Sequence, residues 1–151
     1  AFIRPGSDPR RWDNRANYVA QNIIPTGPME MSIYHDHSGH RYTLRTDGFA
    51  SVHAAYAPGE MHTHPFTFTG TELVLNMSTS AAGSIAVEIQ DAQGVPLPGY
   101  AIADCIEMIG DEIARPVAWK KGTNLYPLAG QPIRLRFVMK EADLFALQFR
   151  N

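Results

Sequence analysis

Histidine side chains offer this sequence its most direct route to metal chemistry, and all 6 of them lie within residues 1–64. His62 and His64 are two positions apart, so a β-strand would present both imidazoles on one face. With Glu60 or His53 as a third ligand, that face could hold Zn²⁺. The same pair could instead lie on the solvated face of an edge strand. We favour that second interpretation, so His62 and His64 are weak metal candidates.

Carboxylates form the second group that could do chemistry, and they are concentrated in one short stretch. They are Asp104, Glu107, Asp111 and Glu112. A pair of carboxylates is the catalytic equipment of most glycosidases, and a set of carboxylate oxygens is what Ca²⁺ binds. The stretch lacks the Asp-x-Asp-x-Asp-Gly register of a calcium loop. A solvated loop with Arg115 as counter-ion is the interpretation we favour.

Aromatic side chains that also carry a polar group form the third set. Trp119 stands close to Asn124 in sequence, and Tyr100 stands close to Asp104. An aromatic ring can pack on the apolar face of a sugar while polar neighbours bond the hydroxyls. The residues that we predict to bind a ligand are therefore Trp119, Tyr100, Asp104, Glu107, Asp111, Glu112 and Asn124.

Nucleophilic and nucleotide chemistry have no motif in this sequence. There is no Gly-x-Ser-x-Gly, Gly-x-x-x-x-Gly-Lys or Gly-x-Gly-x-x-Gly. Cys105 stands among apolar residues, as a core residue would. We therefore predict no catalytic residue in this chain.

Bulk composition limits the partners and the redox chemistry. The 151 residues have a formal net charge of −2, and 44% of them are hydrophobic. That charge gives no reason to expect nucleic acid or an anionic membrane as a partner. A single cysteine excludes an internal disulfide. The sequence starts at Ala1 without Met, from which we expect a mature or excised piece.

Short alternating runs between turn residues predict an all-β protein. Residues 84–90 and 133–139 alternate apolar and polar side chains, which is typical of half-buried strands. We predict an antiparallel β-sandwich of jelly-roll type over residues 41–151, with an irregular N-terminal extension over residues 1–40. One short helical turn is expected near residues 103–107. The lack of amphipathic helices between strands disfavours a parallel α/β fold.

An ordered series of short motifs suggests a family. The series runs Gln90-Asp-Ala-Gln-Gly-Val-Pro-Leu-Pro-Gly-Tyr100, Asp104-Cys105, Ile109-Gly-Asp-Glu112, Val117-Ala-Trp119, Leu128-Ala-Gly130, Ile133-Arg-Leu-Arg-Phe137 and Ala142-Asp-Leu-Phe145. It resembles the C-terminal accessory β-sandwich of bacterial glycoside hydrolases with a family-32-like five-bladed propeller. The resemblance covers about residues 41–150, and residues 1–40 are similar to the closing strands of such a propeller.

This resemblance implies a non-catalytic module that binds carbohydrate or supports a glycoside hydrolase. Its partners would be a polysaccharide or oligosaccharide and the catalytic propeller of the parent chain, in an extracellular or periplasmic location. No cofactor is implied, although Ca²⁺ stays open. Two alternatives also stay open: a small metal- or carboxylate-dependent sugar-active enzyme, and a purely structural domain that packs on a propeller.

Overall fold

The computed structural model describes residue 3, residues 18–35 and residues 39–151, and it is almost entirely β. All named strand pairs are antiparallel. The predicted all-β, sandwich-like class is therefore confirmed. None of the helical segments in the described part of the chain has the length and apolarity needed to span a membrane.

The chain divides into two compact units, Ala1–Phe49 and Ala50–Asn151. The first unit contains a three-stranded sheet in the order β1-β2-β3. Its strands are β1 (Ile24–Gly27), β2 (Glu30–Tyr34) and β3 (Arg41–Arg45). This division falls later along the chain than the predicted boundary after residue 40, because β3 pairs with β2 over its whole length.

The second unit contains a five-stranded sheet built around two long strands. The strands are β4 (Val52–Ala54), β5 (Gly59–His62), β6 (Glu72–Asp91), β7 (Asp111–Pro116) and β8 (Ile133–Arg150). Their order is β4-β8-β6-β7, and β5 pairs with another part of β8. The paired strands β6 and β8 form the centre of the sheet, since β4 and β5 pair with β8 and β7 pairs with β6.

The core of the second unit follows the two-residue period of β6 and β8. Alternate residues of β6, near both of its ends, are buried in one cluster with alternate residues of β8. On β6 they are Leu73, Leu75, Met77, Ile85, Val87 and Ile89, and on β8 they include Ile133, Leu135, Phe137 and Met139. One strand face therefore supplies most of the core, as the alternation predicts.

An irregularity halfway along β6 interrupts its pairing with β8. Thr79 pairs with Ala142, but the next paired residue of β6 is Ser84, opposite Lys140. Glu141, between those two partners on β8, has a positive φ of 41°. A Cβ on Gly83 would lie 2.4 Å from the carbonyl oxygen of Glu141, so the close approach of the two backbones at this point requires glycine. We call this region the bulge.

The loops on either side of β7 complete the core. They contain two short 3₁₀ turns, Ile102–Asp104 and Tyr126–Leu128. The first lies close to the helical turn expected near residues 103–107. The same loops bring Tyr100, Trp119 and Leu125 into the cluster formed by β6 and β8.

Candidate functional site

The two rings predicted as sugar platforms are core residues. Trp119 is 2% exposed and Tyr100 is 5% exposed. The Trp119 indole Nε1 donates a hydrogen bond to the carbonyl oxygen of Val87 at 3.0 Å, which satisfies its polar group inside the protein. Lys121 covers the Tyr100 ring, with its Nζ 3.2 Å from the ring centroid. Neither ring offers solvent the open face that a sugar platform needs.

The predicted carboxylates are paired one by one. Glu112 accepts a hydrogen bond from Arg115 Nη1 at 2.7 Å, and Glu107 accepts one from Ser84 Oγ at 3.1 Å. Asp104 lies 3.8 Å from Lys120 Nζ. Asp111 is the first residue of β7, and its backbone lies opposite Ser78 of β6 in the strand register. Asn124 uses its Oδ1 to accept the backbone N–H of Tyr126 at 2.9 Å. A ligand role for these side chains stays a prediction.

The weak metal candidates stand near the end of β5. His62 Nε2 lies 3.3 Å from Glu60 Oε2, and His64 is exposed beyond the strand. Within residues 18–35 and 39–151, no three histidine, cysteine or acidic side chains are grouped so that they could hold a metal ion. Trp12, the other tryptophan of the sequence, lies outside the described residues.

A groove lies beside the bulge, and its lining brings together side chains from three strands. It has a volume of about 420 Å³ and is open to solvent. Its lining residues are His53, Ala54, Ala55, Tyr56, Ser78, Thr79, Ser80, Glu141 and Asp143. We call it the bulge groove. Because β4 and β6 both pair with the same segment of β8, residues far apart in the sequence meet there.

Asp143 organises one wall of the bulge groove. Its Oδ1 accepts a hydrogen bond from Ser51 Oγ at 2.7 Å, and His53 Nδ1 lies 3.0 Å from the same oxygen. An ionised carboxylate only accepts, so Nδ1 of His53 carries the proton in this contact. This pairing orients the imidazole, whose side chain is 62% exposed.

Glu141, the second carboxylate that lines the bulge groove, is held by its own set of hydrogen bonds. Ser80 Oγ donates to Glu141 Oε2 at 2.5 Å, and the backbone N–H of Glu141 donates to Ala55 O at 2.9 Å. The backbone N–H of Ala82 in turn donates to Ser80 Oγ at 3.1 Å. These bonds hold a residue with positive φ, a conformation that costs a non-glycine residue about 1 kcal/mol or more and tends to occur at functional sites.

Tyr56 supplies an aromatic ring to the bulge groove. It is 72% exposed, which makes it the most exposed of the large hydrophobic residues in the described part of the chain. The Nζ of Lys140 lies 4.7 Å from its ring centroid, a distance typical of a cation–π contact. The groove therefore combines an aromatic surface with fixed carboxylate, hydroxyl and imidazole groups.

A second polar arrangement is an ion network in which the Arg136 guanidinium contacts two carboxylates. Arg136 donates from Nη2 to Glu60 Oε1 at 2.7 Å and from Nη1 to Glu88 Oε1 at 3.4 Å. The hydrogen bond from Arg136 holds the pKa of Glu60 at about 2, below its ordinary value of 4.5. Such a group stays ionised and cannot serve as a general acid near neutral pH.

Glu88 occupies the buried end of that network. It is 3% exposed, and burial acts to raise its pKa. Hydrogen bonds from Gln90 at 2.8 Å, from the backbone N–H of Ile102 at 3.0 Å and from Arg136 outweigh burial, so the pKa of Glu88 is lowered. Glu88 therefore joins the 3₁₀ turn to the sheet as a bound anion.

Comparison with known proteins finds no matching family model for the chain, and no match to it among the curated proteins or the solved structures. The resemblance to glycoside hydrolase accessory modules therefore stays a prediction. The bulge groove was not predicted from the sequence. His53 was considered only as a metal ligand, and the one signal available was Tyr56, a polar aromatic residue just before Pro58-Gly59.

Proposed function

We propose that this chain is a non-catalytic carbohydrate-binding module and that it binds sugar in the bulge groove. The observation that carries the proposal is the Tyr56 ring, 72% exposed on a groove of about 420 Å³ whose walls hold Glu141 and Asp143. An exposed tyrosine offers a rigid apolar surface with a polar end, and a sugar ring has apolar C–H faces that pack on such a surface.

The polar walls suit sugar hydroxyls. Carboxylate oxygens accept hydrogen bonds from hydroxyl groups, and His53 can donate or accept through the nitrogen that is not on Asp143. Ser51 and Ser80 already hold the two carboxylates in place. Fixed acceptors lose less conformational entropy on binding than free side chains do, which favours recognition of a small polar ligand.

The non-catalytic part of the proposal rests on the resemblance, which transfers no catalytic residue to this chain. In the bulge groove, the hydroxyls of Ser51 and Ser80 donate to Asp143 and Glu141 and so fix the two carboxylates as acceptors for a ligand. We propose no cofactor for this role, and Ca²⁺ dependence is part of the test. The parent hydrolase, its propeller and an extracellular or periplasmic location belong to the proposal through the resemblance alone.

Calorimetry and affinity electrophoresis against inulin, amylose, xylan and galactomannan test the proposal. We expect the protein to bind at least one of these polysaccharides, and Tyr56→Ala to weaken that binding about tenfold, the effect of losing about 1.4 kcal/mol from an aromatic contact. Tyr56→Phe keeps the ring and should keep most of the affinity. Treatment with EDTA should leave binding unchanged.

Val95→Ala is the matched control, because Val95 is 58% exposed and does not line the bulge groove. Wild-type affinity in Tyr56→Ala would show that the groove is not the binding site. Failure of the folded protein to bind any of the four polysaccharides would contradict glycan binding itself and leave a structural domain that packs on a propeller as the better description.

Hydrolysis is the second candidate function, and one observation favours it. Glu141 and Asp143 line the same groove, and His53 contacts one of them. A pair of carboxyl groups that line one sugar-sized groove is the catalytic equipment of most glycosidases. Release of reducing ends from the same polysaccharides, lost in both Glu141→Gln and Asp143→Asn, would establish this activity in place of binding alone.

A further inference from the structure

A second open groove lies next to the start of β6 and the end of β8. It has a volume of about 630 Å³. Its lining includes Phe68, Thr69, Gly70, Thr71, Tyr126 and Asn151. We call it the Tyr126 groove. It shares no lining residue with the bulge groove.

Backbone hydrogen bonds fix the walls of the Tyr126 groove. Thr71 N–H donates to Arg150 O at 2.8 Å, and Gly130 N–H donates to Phe68 O at 2.9 Å. Gly70 has a φ of +111°, and a Cβ there would lie 2.9 Å from Arg150 O, so the chain passes β8 at backbone contact. A groove with walls tied in this way is largely formed before a ligand arrives.

Tyr126 is the ring of this groove, and it is 70% exposed. Its backbone N–H is capped by Asn124 Oδ1 at 2.9 Å, which holds the first residue of the 3₁₀ turn. The exposed ring therefore stands on an anchored backbone. Among the described residues, Tyr56 and Tyr126 are the two large hydrophobic side chains with at least 70% exposure, and each lines one of the two grooves.

The chemistry of the two grooves differs in charge. The bulge groove contains Glu141 and Asp143, whereas none of the side chains lining the Tyr126 groove is charged. Its polar groups are the hydroxyls of Thr69, Thr71 and Tyr126 and the amide of Asn151. A site whose side chains supply an aromatic ring and neutral hydrogen-bonding groups fits an uncharged ligand.

We infer that the Tyr126 groove is a second sugar subsite, selective for an uncharged sugar ring, in addition to the bulge groove. The ligand class rests on the proposed function, whereas the location rests on this groove alone. Thr71, which directly precedes β6, and Ser78 within β6 are separated by about 23 Å along the chain, taking the rise of a strand as about 3.3 Å per residue. A long polysaccharide that reaches both grooves would gain avidity that a short oligosaccharide lacks.

The inference is tested by calorimetry with maltohexaose, xylohexaose and inulin oligosaccharides. The proteins compared are wild type, Tyr56→Ala, Tyr126→Ala and the double variant. We expect wild type to show two sites per chain. Each single variant should show one, because the other site is weakened about tenfold and falls outside the calorimetric range, and the double variant should show none in that range. With the parent polysaccharide, Tyr126→Ala should lose about tenfold in affinity, and Tyr126→Phe should lose little.

The two proposals fail separately in this experiment. Two oligosaccharides per chain in Tyr126→Ala, or a single site in wild type that Tyr56→Ala removes, would overturn the second subsite and leave the bulge groove intact. A single site that only Tyr126→Ala removes would support the Tyr126 groove and overturn the bulge groove. The Tyr56→Ala variant retains only the Tyr126 groove. If that variant bound polygalacturonate more tightly than it binds the neutral polysaccharides, the selectivity for uncharged sugar would be overturned.

Discussion

Trp119 donates its indole N–H to the backbone carbonyl of Val87 at 3.0 Å, across 32 positions of sequence and inside the core of the second unit. The bond joins the loop after β7 to the second half of β6. It satisfies the one polar group of the largest buried side chain in the described part of the chain. The loop is thereby part of the core, because a buried carbonyl that lost its donor would cost free energy.

Replacing Trp119 should therefore change stability. We expect Trp119→Ala to lower the free energy of unfolding by about 3–5 kcal/mol, the usual cost of removing a large buried aromatic side chain. Trp119→Phe keeps most of the volume but loses the hydrogen bond, and should cost about 1–3 kcal/mol. Urea denaturation followed by far-ultraviolet circular dichroism measures both. Tyr56→Ala, at an exposed ring, should stay within about 0.5 kcal/mol of wild type.

The Arg136 network should make stability sensitive to acid. The pKa of Glu60 is about 2 in the folded protein against an ordinary 4.5, because Arg136 donates hydrogen bonds to its carboxylate. A lowered folded pKa contributes stability that is present above about pH 4.5 and is lost as the pH falls towards about 2. The urea midpoint of wild type should therefore fall over this range.

Glu60→Gln is the variant that isolates this effect. It should lower the urea midpoint near pH 6. The difference from wild type should shrink as the pH falls towards about 2, because the carboxyl is then protonated in the unfolded chain and becomes protonated in the folded protein as well. Part of the acid dependence should remain, because Glu88 also has a lowered pKa and also contacts Arg136. A difference between Glu60→Gln and wild type that does not change with pH would contradict the assignment.

The bulge should tolerate no side chain at Gly83. A Cβ there would lie 2.4 Å from Glu141 O and 2.5 Å from Lys140 O, and backbone atoms on a paired strand cannot move away cheaply. We expect Gly83→Ala to cost about 2 kcal/mol, within the usual range for overpacking. Gly59→Ala is the matched control, since its Cβ would meet only Ala54 Cβ at 3.7 Å. Equal stability of the two variants would show that the two strands do not approach as described.

Cys105 should react slowly in the folded protein. Burial raises the pKa of its thiol, and the nearby Glu107 carboxylate adds to that effect, while the hydrogen bond from Val87 N–H at 3.2 Å opposes it. The thiolate is the reactive form, so alkylation by iodoacetamide near pH 8 should be at least about tenfold slower in buffer than in urea. Equal rates in the two solutions would place Cys105 at an open surface instead.

The strand content was predictable because it is a local property. Residues such as Ile85, Val87 and Ile89 alternate with polar neighbours, and a side-chain period of two marks a half-buried strand whatever its partner is. The expected helical turn near residues 103–107 was also local, and a 3₁₀ turn lies at Ile102–Asp104. The domain boundary was harder to place, because the pairing of β3 with β2 depends on a partner strand.

The candidate site was not predictable, because its residues come together only through long-range pairing. His53 and Asp143 are 90 positions apart, and they meet because β4 pairs with the segment of β8 next to the bulge. Trp119 and Tyr100 were predicted to bind a ligand because each has an aromatic ring with a polar group. Such a ring can also be buried in the core if a backbone carbonyl accepts its hydrogen bond, and the sequence alone does not show whether a carbonyl lies within reach.

Composition and hydrophobic alternation alone therefore determined that this chain forms antiparallel strands with one buried face, since that information resides in neighbouring residues. Only the tertiary structure decided which aromatic rings are buried, which are exposed, and which carboxylates share a groove. The register of β6 against β8, with Glu141 at positive φ beside Gly83, sets those relationships. Register is a property of two distant segments together, so neither segment specifies it by itself.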